Sequence, residues 1–177
     1  ETERLNKLTQ GMLTPNSLDS KGFLTRSNFD INRVIKDTAA TFEGTCNAKD
    51  IVLDLTFAAD IQMVYADLGK IQQVLYNLID NAIKFCPDGG RLALRVQVDG
   101  GKARVSVENT GPTIDKDELP LLFDRFHKAD KSRSADREGW GLGLYIAKTI
   151  VGAHGGDIWA TSENGVTQFN FTLPTVR

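Results

Sequence analysis

The chain has 177 residues, of which 41% are hydrophobic, and a formal net charge of −2 at pH 7. This length suffices for one well-buried domain with an appendage and is too short for two full domains. The near-neutral charge gives no argument for a nucleic-acid partner, and no apolar run reaches the roughly 20 residues that a membrane-spanning helix needs. The two cysteines, Cys46 and Cys86, have no metal-ligand spacing and are too few for a disulfide framework, which fits a reducing compartment.

An amphipathic helix is predicted at the start of the chain, over residues 1–13. Leu5, Leu8 and Met12 recur there at helical spacing, with charged residues between them. Nothing nearby in the sequence covers this apolar stripe, so we expect half of a helical hairpin or a dimer seam, with a packing helix of the main domain as the alternative. Residues 16–28 are polar and contain glycine, which indicates a linker.

The rest of the chain alternates between helical and strand periodicity. Asp30 and Asp67 stand where capping side chains are expected, and a two-glycine turn at residues 99–101 predicts a hairpin. Helices are predicted over residues 31–48, 67–85 and 145–151 and strands over residues 51–57, 63–65, 91–98, 102–107, 157–161 and 167–173, with a short helix ending at Phe126. Three long helices and a mostly antiparallel sheet predict an α+β fold, a two-layer α/β sandwich.

A glycine-rich stretch precedes the last predicted helix. Gly139, Gly141 and Gly143 alternate with larger residues, so the backbone N–H groups can close around phosphate oxygens at the positive end of the helix dipole. The spacing is neither that of a P-loop nor that of a Rossmann dinucleotide site. Glycines before a helix also serve close packing, and this motif alone leaves both interpretations open.

Two asparagines lie on one face of the helix predicted over residues 67–85. Asn77 and Asn81 are four residues apart, and Lys84 and Phe85 follow one turn later. Amide oxygens are ligands that Mg²⁺ accepts while it takes its other ligands from phosphates and water, and Lys84 can reach a phosphate. A single asparagine here would favour a structural bridge to backbone, whereas the pair with a lysine and a glycine-rich stretch favours a nucleotide site.

Residues 127–138 are dominated by charge and contain almost no apolar side chain. Such a segment has little to pack, so we expect a mobile lid that phosphates and Mg²⁺ would order. Beyond the last helix, the run 153–156 predicts a C-terminal cap in which His154 lies near the negative end of the helix.

The motifs occur in an order that resembles the N, G1, F and G2 boxes of sensor histidine kinases. The resemblance covers residues 1–177 and implies the Bergerat ATP-binding fold shared with gyrase, Hsp90 and MutL. The four boxes read Asn77-xxx-Asn81, Asn109-x-Gly111-x-Thr113, Phe123-Asp124-Arg125-Phe126 and Gly139-x-Gly141-x-Gly143.

This resemblance implies ATP and Mg²⁺ as ligands. Asn77 and Asn81 would hold Mg²⁺, Lys84 would meet phosphate, and Phe85 would line the adenine pocket. His127 would lie near the nucleotide, and Lys128 would reach the γ-phosphate from the lid as the catalytic residue. The other residues expected at the nucleotide are Asn109, Gly111, Thr113, Ile114, Gly139, Gly141, Leu142, Gly143, Leu144 and Thr167.

Three positions depart from the family pattern. Asn109 stands where an aspartate usually accepts a hydrogen bond from the adenine amino group, and an amide oxygen can accept the same bond without the charge. Thr113 replaces the second glycine of the G1 box, and Trp140 is bulkier than the small or polar residues common inside the G2 box.

Residues 1–20 resemble the end of the second helix of a dimerisation and phosphoacceptor hairpin, and residues 21–177 the catalytic domain. Since the chain begins at Glu1 and lacks a His-Glu-x-x-x-Pro helix, we expect a piece of a larger homodimeric protein. The resemblance implies transfer of the ATP γ-phosphate to a histidine outside this piece, relay to an aspartate of a response regulator, and a cytoplasmic position in a membrane-anchored bacterial receptor. The alternatives are an ATPase or anti-sigma-factor serine kinase of the same fold, and a scaffold that binds no nucleotide.

Overall fold

A computed structural model describes residues 24–124 and 138–176, and of residues 138–141 the backbone alone. Helices and strands alternate along the chain. They are β1 (Ser27–Asp30), α1 (Ile31–Thr41), α2 (Glu43–Ala48), β2 (Val52–Phe57), β3 (Met63–Ala66), α3 (Leu68–Phe85), β4 (Arg91–Asp99), β5 (Lys102–Thr110), a 3-10 helix (Leu119–Phe123), α4 (Glu138–Ala153), β6 (Ile158–Glu163) and β7 (Val166–Pro174).

The main sheet has five strands in the order β2-β4-β5-β7-β6. β2 pairs with β4 in parallel, and the other neighbours in this sheet are antiparallel. β1 and β3 form a separate antiparallel ribbon. Alternate apolar residues of the central strands, among them Ala103, Val105 and Val107, are buried in one core with α1, α3 and α4. The predicted two-layer α+β fold is confirmed.

Both ends of α3 are fixed by side chains. At its start, Asp67 is the N-cap and accepts a hydrogen bond from Lys70 N, as predicted. At its end, Lys49 Nζ donates to the carbonyl oxygens of Ile83 (2.8 Å) and Cys86 (2.9 Å). A helix end leaves such carbonyl groups short of helical donors, and Ile83 O also accepts from Cys86 N at 3.2 Å. The helix face that carries both asparagines is therefore held in place from both ends.

The predicted helix over residues 31–48 is wrong as one element, because it divides at Phe42. Phe42 leaves helical geometry at φ −99° and ψ 2°, and its N–H donates back to Ala39 O. Its ring stays buried and lies 5.0 Å from that of Tyr76, centroid to centroid. Tertiary packing of this ring, together with low helix propensity at Thr41 and Gly44, ends α1 here.

Other boundaries also differ from prediction. The linker predicted over residues 16–28 ends in strand β1, which hydrogen-bonds to β3. β5 continues to Thr110, so Asn109 belongs to a strand rather than to the predicted loop. The short helix before residue 124 is a 3-10 helix with a proline in its first turn. Each of these boundaries depends on pairing with a strand distant in sequence or on the geometry of one local turn.

The glycine-rich stretch forms the first part of α4 rather than a loop before it. α4 begins at Glu138 and includes Gly139, Gly141 and Gly143. Glycine costs a helix about 1 kcal/mol relative to alanine, and the buried residues that follow, such as Ile146, Ala147 and Ile150, offset that cost. The helix predicted over residues 145–151 is therefore longer than expected.

Some predictions fall outside the described residues. These are the helix over residues 1–13, residues 127–137 of the lid predicted over residues 127–138, and the positions of His127 and Lys128. Within the described ranges, no helix combines the length and the apolar character needed to cross a membrane.

Candidate functional site

Asn77 ties α3 to α4. Its Nδ2 atom donates to Gly143 O at 3.1 Å, and the side chain is buried. Since the amide nitrogen is committed to helix packing, only the amide oxygen of Asn77 remains for a metal ion. The sequence predicts the same Mg²⁺-binding role for Asn77 and Asn81. In the structure their amides differ, because Asn77 is hydrogen-bonded to Gly143 and Asn81 has no partner among the described residues.

Asn81 has a buried amide without a partner. Its side chain is 3% exposed, and neither Oδ1 nor Nδ2 has a hydrogen-bond partner in the described part of the chain. Leaving such a group unsatisfied costs about 1–3 kcal/mol, and buried polar groups are rarely left so. The oxygen and the nitrogen of this amide are therefore both available to a ligand.

Lys84 forms an exposed ion pair with Asp80, at 2.9 Å between Nζ and Oδ2. Such pairs contribute about 0.2–1 kcal/mol, so a phosphate can displace Asp80 with little loss. Among the described residues, no group of three or more His, Cys, Asp or Glu side chains is arranged to hold a metal ion. Amide oxygens of the α3 face are thus the protein ligands that Mg²⁺ would find here.

Asn109 presents a buried acceptor. It is 1% exposed, its Nδ2 donates to Thr110 O at 2.9 Å, and its Oδ1 has no partner within the described residues. The bond to Thr110 fixes the orientation of the amide, so the oxygen is the free atom. It replaces the carboxylate oxygen of the family pattern with a neutral acceptor.

The loop after Asn109 is pinned to the β6–β7 turn. Gly111 N donates to Gly165 O at 2.9 Å, and Gly165 N donates to the Thr113 hydroxyl at 2.8 Å. A Cβ atom on Gly111 would lie 2.9 Å from Phe85 O, so this glycine permits the close approach of the loop to the end of α3. Thr113, in place of the family glycine, supplies a bond that glycine lacks.

Ser162 was missed by the sequence analysis. Its hydroxyl accepts from Ile114 N and bonds to the Thr167 hydroxyl, both at 2.8 Å. Thr167 is also paired with Asn109 across β5 and β7. The Asn164-Gly165 pair, a strong hairpin signal, could have placed Ser162 near the start of β7.

The start of α4 is the next part of the candidate site. At the Glu138 end of α4, the N–H groups of the first turn have no helical acceptor ahead of them. Leu144 is buried in the core, and the partly buried Leu142 packs against the core. A contact of the buried Leu144 with a nucleotide would therefore fall to its backbone, whereas the side chain of Leu142 is only partly buried.

The orientation of Asn109 predicts the base preference. We expect ATP to bind at least about tenfold more tightly than GTP, because Oδ1, which has no partner among the described residues, would accept from the 6-amino group of adenine and would oppose the 6-oxo group of guanine. Competition titration of the two nucleotides measures this ratio. In the Asn109→Leu variant the ratio should fall towards one, and equal affinities in the wild type would contradict the assignment.

Residues 66–177 match the family model described as histidine kinase-, DNA gyrase B-, and HSP90-like ATPase. The sensor histidine kinase WalK of Bacillus subtilis is 38% identical over 98% of this chain, and the chain spans only 29% of WalK. Full-length ShkA, solved in complex with AMPPNP, is 28% identical with a TM-score of 0.82, and the match covers 97% of this chain and 36% of ShkA. ThkA, solved in complex with the response regulator TrrA, is 27% identical with a TM-score of 0.78, and the match covers 99% of this chain and 48% of ThkA.

The chain belongs to this ATPase family, and its relatives identify it as an ATP-binding catalytic domain of the sensor histidine kinase type. The predicted family and fold are confirmed, and the relatives that the chain resembles are named as sensor histidine kinases, the predicted enzyme class. The roles of the individual site residues remain predictions.

Proposed function

We propose that this domain binds Mg·ATP between α3 and α4 and transfers the γ-phosphate to a histidine outside the described domain, from which a response-regulator aspartate receives it. Residues 1–20 would then be part of the hairpin that carries the acceptor and forms the homodimer. The cellular setting would be the cytoplasmic part of a membrane-anchored receptor.

The observation that carries the proposal is the unpartnered amide of Asn81. Asn81 lies on the same helix as Asn77, whose Nδ2 donates to Gly143 O in the first half of α4. The N–H groups of the first turn of α4 would meet the phosphates. A hard oxygen beside phosphate-binding donors fits Mg²⁺, which would be held by Asn81 and the amide oxygen of Asn77. Bound Mg²⁺ would neutralise charge on the β- and γ-phosphates.

The chain's own residues orient the nucleotide. Asn109 accepts from the adenine amino group, the loop pinned through Gly165 and Ser162 supports it, and Lys84 leaves Asp80 for a phosphate. Lys128 and His127, outside the described residues, complete the phosphate end by resemblance. Because phosphoryl transfer depends mainly on positioning and charge, these roles suffice without a covalent intermediate.

The acceptor cannot be His154. That residue is 4% exposed, and both ring nitrogens are engaged in hydrogen bonds. It also lies eleven residues along α4 from Gly143, about 16 Å at 1.5 Å per residue. A separate acceptor is consistent with WalK being named a sensor histidine kinase, and a response-regulator partner with the solved complex of ThkA and TrrA.

We expect the domain to bind Mg·ATP and to hydrolyse it far more slowly than the typical enzyme rate of about 10 per second. ATPases of this fold resemble one another in placing a glutamate general base four residues before the metal-binding asparagine. Here that position is Asn77, whose amide bonds to Gly143 O and cannot accept a proton. Calorimetric titration with AMPPNP, in Mg²⁺ or in EDTA, measures the binding, and a phosphate-release assay measures the hydrolysis. Absence of Mg²⁺-dependent binding would contradict the proposed site, and rapid turnover would favour the same-fold ATPase.

A further inference from the structure

His154 joins three segments that are far apart in sequence. It follows α4, its Nδ1 lies 2.8 Å from Ile150 O, and its Nε2 accepts from Asp67 N at 3.0 Å. Asp67 caps α3, and its Oδ2 accepts from Thr25 N at 2.9 Å. One buried imidazole thus connects the end of α4, the start of α3 and the segment that leads into β1.

The partners of His154 fix its tautomer. Ile150 O can only accept, so Nδ1 carries the proton, and Asp67 N–H can only donate, so Nε2 has none. Both ring nitrogens are satisfied in the neutral form, and no position is left for a second proton.

The hydrogen bond from Asp67 N to His154 Nε2 also sets the register of α3 and α4, the two helices proposed to face the nucleotide. α3 and α4 run antiparallel and are tied by Asn77 to Gly143 near the nucleotide and by Asp67 to His154 at the other end. The ties are ten residues apart on α3 and eleven on α4, or about 15–16 Å at 1.5 Å per residue. Loss of the Asp67–His154 bond would remove the tie at the end of the helix pair opposite Asn77 and Gly143.

The charged groups that face the ring come from each packed element: Arg26 from the leading segment, and Asp67 and Lys70 from the start of α3. Burial lowers the pKa of His154 below its ordinary 6.5, Arg26 and Lys70 lower the pKa further, and Asp67 and the bond to Ile150 oppose the shift. The unfolded chain therefore takes up the proton first. Stability should fall as the pH drops below about 6.5 towards the folded-state pKa, and should level off beneath it.

We propose that neutral His154 is a positioning residue that holds α3, α4 and the leading segment in register, and that its protonation releases Thr25 from Asp67. A proton on Nε2 would face the Asp67 N–H and could no longer accept from it. The acidic group that acts on the ring is the Asp67 carboxylate, which accepts from Thr25 N and Lys70 N. The imidazolium and the Thr25 bond compete for the same carboxylate.

Nitrogen-15 NMR of the His127→Gln variant tests the switch, because His154 is then the sole imidazole of the chain. The ring shifts should report the Nδ1–H tautomer at neutral pH. Protection of the Thr25 amide, corrected for intrinsic exchange, should fall about tenfold as His154 titrates. An Nε2–H tautomer, or Thr25 protection that is flat through the titration, would overturn the proposal.

Two controls separate local release from general loosening. The Gly165 amide, which donates to the Thr113 hydroxyl, should keep its protection through the same titration. If Gly165 and Thr25 lost protection together, global opening would explain the result and the switch would be rejected. In a further His154→Gln substitution, which cannot take up a proton, any remaining pH dependence of Thr25 protection would also reject it.

The positioning role of His154 rests on the proposed function. A separate titration of nucleotide affinity tests this role. AMPPNP affinity with Mg²⁺ should fall about threefold or more across the His154 titration in the wild type, equivalent to about 0.6 kcal/mol, and should stay level in His154→Gln. Release of Thr25 without any change in affinity would overturn the positioning role alone. No binding at any pH would contradict the proposed function and the positioning role with it, while the Thr25 amide would still decide the switch.

Discussion

Replacing Asn81 with leucine is expected to abolish Mg·ATP binding while leaving the nucleotide-free domain at least as stable as the wild type. Leucine removes the amide proposed to hold Mg²⁺, so affinity should fall about a hundredfold or more, or about 2.7 kcal/mol. The same change removes a buried oxygen and nitrogen that have no partner among the described residues, so the free energy of unfolding should be unchanged or should rise by up to about 1 kcal/mol. Calorimetric titration and denaturant unfolding of the same variant measure both quantities.

Asn32 provides a matched control. It is fully buried like Asn81, but its Nδ2 donates to the carbonyl oxygens of Ala59 (2.7 Å) and Asp60 (3.2 Å). Asn32→Leu should therefore lower the free energy of unfolding by about 2–4 kcal/mol. A similar loss of stability in Asn81→Leu would show that Asn81 serves the fold, against the present account.

The second large effect is expected from Gly156→Ala. A Cβ atom at this position would lie 2.2 Å from Thr172 O and 3.2 Å from Val151 Cγ1, which requires α4 or β7 to move. We expect the free energy of unfolding to fall by about 3 kcal/mol, the upper range for overpacking a tight core. Thermal and denaturant unfolding measure the loss.

Gly152 is the control for this substitution, because it lies one turn earlier and nothing is within 4 Å of its added Cβ. In an exposed helix position, Gly152→Ala should raise stability by about 0.5–1 kcal/mol. Opposite signs for two glycines four residues apart test the packing of the α4 end directly. A loss of less than 1 kcal/mol in Gly156→Ala would mean that this junction is looser than described.

The fold class could be predicted because periodicity is a local property of the sequence. The apolar faces of α3 and of the β4–β5 hairpin are visible in short windows, and so are the caps Asp30 and Asp67, which the structure places as N-caps. The ribbon formed by β1 and β3 was missed, because its first strand is polar and is stabilised by a partner more than thirty residues away.

The residues of the candidate site could be proposed from the sequence, but the contacts that each of them makes could not. Residue spacing puts Asn77 and Asn81 on one face, but only the position of Gly143 shows that Asn77 is partly committed to packing. Likewise, a histidine after a helix is typical of a cap, whereas its bond to Asp67 N depends on how α3 and α4 lie together. Such roles depend on contacts between distant segments, which periodicity does not encode.

The central claim is phosphoryl transfer to a histidine outside this domain, and labelled ATP tests it most directly. The domain would be incubated with ATP labelled at the γ-phosphate and Mg²⁺, alone and with a hairpin from the longer protein that contains the acceptor histidine. Alone, we expect no acid-labile phosphate on the domain, because His154 is buried with both ring nitrogens engaged. With the hairpin, acid-labile phosphate should form on the hairpin histidine, and the Asn81→Leu domain should not support it. Stoichiometric labelling of His127 or His154 in the domain alone, or no labelling of the hairpin by a domain that binds Mg·ATP, would contradict the account.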